Sequence, residues 1–74
     1  MSDQPVQQIR IGRVRAAIWR NNTEDGAKYS VVLTKLYRIA NRWLDTGHFG
    51  RDDLALVSEV AHLAHAWIFE QKEP

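Results

Sequence analysis

Seventy-four residues are enough for one domain and sit near the lower limit for an independent core. Apolar residues at 45% and charged residues at 26% exclude a disordered chain, and the absence of cysteine excludes a disulfide framework or a thiolate zinc site. The net charge is only +1, but residues 1–50 carry eight Lys or Arg against four Asp or Glu, while residues 51–74 carry two against five; this asymmetry points to an anionic partner.

Residues 1–8, "MSDQPVQQ", are polar, contain Pro5 and read as a frayed tail. They have no basic or apolar region of a signal peptide, and no apolar run approaches the roughly 20 residues of a membrane span. The expectation is a cytoplasmic protein with no membrane association. Residues 9–21 read as the first strand. Ile9 and Ile11 are apolar on odd positions, Val14, Ala16 and Ile18 on even ones, and the phase change at Gly12 suggests a bulge. Arg13, Arg15, Ala17 and Trp19 share the opposite parity, so this strand carries one small apolar face and one arginine face with an indole. "NNTEDGAK", residues 21–28, is dense in turn formers, with Asp25-Gly26 as its strongest hairpin signal.

Residues 28–39, "KYSVVLTKLYRI", are β-branched and aromatic and read as a second strand. Its odd set, Tyr29, Val31, Leu33, Lys35 and Tyr37, is the more apolar at its centre. Residues 40–42 are a short turn, and "WLDTGHF", residues 43–49, reads as a third strand. From Gly50 the period changes to helical. Asp52 and Asp53 suit the positive end of a helix dipole. Leu54, Val57, Ala61, Ala64 and Ile68 form one stripe, and Leu56, Val60, Leu63 and Trp67 another. Together they span about half the helix circumference. The predicted fold is α+β: a three-stranded antiparallel meander followed by one C-terminal helix packed on one sheet face. The domain covers 9–71, with 72–74 frayed. The helix presents more apolar surface than three short strands can cover, so a homodimer is expected, with Leu56, Val60, Leu63 and Trp67 at the interface.

Catalysis finds little support. No serine lies in a nucleophile elbow, and "GHFGRDD" lacks the lysine of a phosphate loop. Neighbouring helical residues point about 100° apart, so Asp52 and Asp53 do not converge on one substrate atom. His62 and His65 share a helix face, but with His48 as the only further histidine no zinc ligand set is complete. The expectation is a protein that is not an enzyme and holds no metal or cofactor. The basic-aromatic surface remains. Cations that track phosphates and rings that stack bases are the means of binding single-stranded nucleic acid. The candidates are Arg13, Arg15, Lys35 and Arg38 for phosphates, and Trp19 and Tyr37, then Tyr29, for stacking. Aromatics and arginine also mark protein–protein hot spots, so an assembly module without a nucleic-acid role is the alternative.

The run "IRIGRVRAAIWRN", then "YSVVLTKLYR", then "FGRDDLALVSEVAHLAHAWI" resembles a small uncharacterised bacterial protein family. In it a similar first strand, a "YSV" strand, an "SFGRDDL"-like helix start and a helix ending A-x-x-A-x-x-W-I recur. The matching residues here are His48 to Leu54 and Ala61 to Ile68, and the resemblance runs from Ile9 to Gln71. More loosely, basic strands leading into one helix look like the units of the positive-cofactor-four, Pur-alpha and Whirly groups. That resemblance implies dimers binding single-stranded DNA or RNA through the sheet. Those units have four strands before the helix, against three read here.

Overall fold

A computed structural model describes residues 4–71. Residues 1–3 of the tail expected at 1–8, and the frayed end expected at 72–74, lie outside the described residues. The chain runs β1 (Gln7–Ile11), β2 (Val14–Thr23), β3 (Gly26–Ile39), β4 (Arg42–Thr46), a 3-10 turn (Arg51–Asp53) and α1 (Leu54–Glu70). The four strands form one antiparallel sheet in the order β1-β2-β3-β4. The fold is therefore α+β with one C-terminal helix, and it has four strands rather than three.

The extra strand comes from the segment read as one bulged strand. Gly12 is not a bulge but the first residue of a two-residue hairpin loop, with Ile11 opposite Val14. Its φ is 58°, a left-handed value at the first loop position, where type II′ turns place glycine. The strand so released begins at Gln7 and takes in two residues of the expected tail. The second hairpin closes at Thr23 and Gly26, with Gly26 at φ 114° and the Thr23 hydroxyl donating to the Gly26 carbonyl at 2.7 Å. The third closes at Ile39 and Arg42 through Ala40 and Asn41, both with positive φ, as a type I′ turn requires. The last strand ends at Thr46, so Gly47 to Gly50 form a connection rather than a continuation of it.

Each two-residue loop reverses the parity of the face. Ile9 and Ile11 of β1 therefore share a side with Val14, Ala16 and Ile18 of β2 and with Leu33 of β3. On that side Val14, Ala16 and Ile18 are fully buried against Val60 and Ala64 of α1. Ile9, Ile11, Tyr29, Leu33, Phe49, Leu56, Val57, Trp67 and Ile68 close around them. A side chain such as Ile18 contributes about 1.5–3 kcal/mol when taken fully out of water. The alanines at 16 and 64 bring little bulk to the contact, which lets helix and sheet approach closely.

The helix start is built by Asp53. Its Oδ2 accepts the Gly50 amide at 2.7 Å, and the Gly50 carbonyl accepts the Asp53 amide at 3.0 Å. One otherwise unpaired N-terminal donor is thereby satisfied. At the other end Gln71 leaves the helix in an extended conformation. Its amide donates to the Ile68 carbonyl and its Nε2 to the Trp67 carbonyl, both at 3.0 Å.

Candidate nucleic-acid interface

The side of the sheet away from α1 is uncovered. The alternation of side chains along each strand places on it Gln8 and Arg10 of β1, Arg15, Ala17, Trp19 and Asn21 of β2, and alternate residues of the two strands that follow. In β3 these are Lys28, Ser30, Val32, Thr34, Leu36 and Arg38; in β4 they are Trp43 and Asp45. Cross-strand rows order them. Arg10 faces Arg15, which faces Thr34; Trp19 faces Ser30; Leu36 faces Asp45; Arg38 faces Trp43. The strands thus bring Arg10, Arg15, Lys28 and Arg38 onto one face with a single carboxylate, Asp45. That carboxylate is engaged by Arg15 Nη2 at 3.3 Å. Arg10 Nε donates to the Gly12 carbonyl at 2.9 Å, and Arg38 Nη2 to Asn41 Oδ1 at 2.8 Å, so two of the guanidinium groups are held by local hydrogen bonds.

Of the residues singled out from sequence, Arg15, Trp19 and Arg38 lie on this face. Lys35 and Tyr37 do not. The β2–β3 loop reverses parity, so the odd residues of β3 share the helix side with the even residues of β2. Lys35 sits opposite Val14, and Tyr37 opposite Leu44, both on the helix side. Tyr29 is on that side as well, and its ring meets Trp67 edge-on, with centroids 6.1 Å apart. Arg13 lies on neither face. It is the second residue of the β1–β2 loop, and its Nε donates to Asp53 Oδ1. Arg10, Leu36 and Trp43 were not singled out. Two-residue turns at 12–13, 24–25 and 40–41 together place even β1, odd β2, even β3 and odd β4 residues on one face, and of these only the one at Asp25-Gly26 reads as a hairpin from sequence.

Arg13 and Lys35 have a common partner. Asp53, only 3% exposed, accepts from Arg13, from Lys35 Nζ at 2.8 Å and from the Gly50 amide at 2.7 Å. The Lys35 ammonium, then the Arg13 guanidinium, then the Gly50 amide hold its carboxyl well below the usual carboxylate range, against the opposing effect of burial. Asp53 therefore joins the β1–β2 loop, β3 and the helix start. Asp52 is exposed and sits 3.7 Å from Arg51 Nε.

The stripe expected at a dimer interface is largely covered within the chain. Val60 is fully buried, Leu56 packs beside Gly12, and Trp67 meets Tyr29; only Leu63 is open, at 41% exposure. Apolar side chains are uncovered on α1 at Leu54, Leu63 and Phe69, and on the sheet as well. The helix rests on β1, β2 and β3, with β4 outside its main footprint. Beyond it Val31 is 38% and Ile39 56% exposed. Among the described residues no three His, Cys, Asp or Glu side chains come together, and His62 and His65 are exposed on the helix. No helix of the described residues is long and apolar enough to cross a membrane.

Comparison with known proteins finds no matching family model, no matching curated protein and no matching solved structure.

Proposed function

We propose that this chain binds single-stranded nucleic acid across the uncovered sheet face. The observation that carries this reading is the joining of Arg10, Arg15, Lys28 and Arg38 with Trp19 and Trp43 on one face. Trp19 and Trp43 lie opposite β3 residues 30 and 38, eight positions apart, which is about 26 Å along the strand. Over that length the cations follow phosphates and the indoles offer π-faces to bases, without demanding a sequence. Four strands before one helix is also the element count of the units that the sequence looks like. A labelled single-stranded oligonucleotide binds, and log affinity falls linearly with log salt. For three or four phosphates on a single strand the slope is about −2 to −3. Absence of binding to both DNA and RNA at low salt rejects the reading.

The second reading, an assembly module, is favoured by the other uncovered surface. Val31, Tyr37, Ile39 and Leu44 lie on the helix side of β3 and β4, where the chain's own helix does not reach fully. A second copy seated there makes a homodimer, and in this reading the basic face has no nucleic-acid role.

A further inference from the structure

The basic face is not flat. Where β3 and β4 run on past the β1–β2 turn, a cavity of about 340 Å³ opens, lined by Arg10, Leu36 and Trp43. Its walls differ in chemistry. Trp43 presents an indole that is 64% exposed, Leu36 gives an apolar floor, and Arg10 supplies a guanidinium. The Arg10 Nε bond to the Gly12 carbonyl fixes the side chain while its terminal nitrogens keep their donors. The nearest carboxylate on the face, Asp45 opposite Leu36, is paired with Arg15. An approaching anion therefore meets cations first. Arg38, directly opposite Trp43, adds a second positive charge at the outer edge.

We propose that this slot seats one unpaired nucleobase, stacked on Trp43 over Leu36, with a flanking phosphate on Arg10. The proposal rests on the reading of the face as a nucleic-acid surface and sharpens it, because it makes Trp43 rather than Trp19 the anchor. Three features of the slot select this ligand. A large exposed indole beside an apolar floor favours a planar ring over an aliphatic chain. The guanidinium favours a ligand that carries negative charge next to that ring. The slot is open at the surface and stacks the face of a ring, and a base inside a duplex has both faces covered by its neighbours, so it does not enter. Single strands are therefore preferred over duplex of the same sequence.

The test is fluorescence anisotropy of a labelled short single strand with wild type, Trp43→Ala, Trp43→Phe, Trp19→Ala and Arg10→Gln, each checked for an unchanged thermal midpoint. Loss of one stacking ring weakens binding about 5- to 150-fold, so Trp43→Ala shows that loss and Trp43→Phe restores most of it. Trp19→Ala costs less than Trp43→Ala. Arg10→Gln lowers the magnitude of the salt slope by about 0.7. Tight binding by wild type that Trp43→Ala leaves intact overturns the slot and leaves the face standing as a nucleic-acid surface. Equal affinity for single strand and duplex also overturns the slot. No binding by wild type at low salt overturns both.

Discussion

Lys35 Nζ lies 2.8 Å from Asp53 Oδ2, and this contact ties the longest strand to the residue that caps the start of α1. Arg13 reaches the other carboxylate oxygen from the β1–β2 loop. The carboxylate is buried and the two cations are partly covered, so the ion pairs fix where the helix begins on the sheet. Breaking such a cluster by removing one member leaves charge without compensation, which is costly in a way that an exposed pair is not.

Asp53→Asn lowers the thermal midpoint more than Asp52→Asn does, because Asp52 meets only Arg51 at an exposed site. The pH dependence has a definite sign. The folded-state pKa of Asp53 lies below the unfolded value of about 3.9. Its contribution is thus present above about pH 4 and is lost as pH falls through the folded-state value. Thermal melts between pH 7 and pH 2 show a steeper acid loss in wild type than in Asp53→Asn. Parallel curves refute this role.

Lys35 and Arg38 are three residues apart, yet their substitutions separate. Lys35→Met lowers stability and leaves oligonucleotide affinity and its salt slope unchanged, because the ammonium faces Asp53 on the helix side. Arg38→Gln leaves the midpoint nearly unchanged and reduces the slope by about 0.7. Salt titrations and melts on the two variants check this. A reduced slope in Lys35→Met contradicts the division of the faces.

Ala40 has φ 48° at the first position of a type I′ turn, a conformation that costs residues with a Cβ roughly 1–2 kcal/mol. Ala40→Gly, or the turn-favoured Ala40→Asn, raises stability by about 1 kcal/mol. The readout is the midpoint of urea unfolding at constant slope. A fall in stability counts against a strained turn.

Ile39 is 56% exposed on the helix side of β3, next to the residues that the helix leaves open. Sedimentation at micromolar concentration gives a dimer for wild type and a monomer for Ile39→Lys, with little change in oligonucleotide affinity per chain. Ile39 is already exposed, so the monomer stays folded. A wild type that sediments only as monomer removes the second copy from this surface.

The sequence by itself determined the helix and the parity of β2. Carboxylates at 52 and 53 ahead of a helical apolar period, and Val14, Ala16 and Ile18 against Arg15 and Trp19, are local patterns set by backbone geometry. It also marked the site of the phase change at Gly12. Only the tertiary structure decided that the change was a hairpin. A bulge and a two-residue loop both shift the phase by one residue, and they differ in whether the chain then continues or returns. That choice set the fourth strand and put Arg10 on the face of Arg15, while the two-residue turns at 24–25 and 40–41 put Lys35 and Tyr37 on the helix side and Leu36 and Trp43 on the face of Arg10. The pairing of Asp53 with Arg13, forty residues away, was equally beyond a local pattern. Charge in a sequence shows that a partner is needed, and the register between strands selects which partner is within reach.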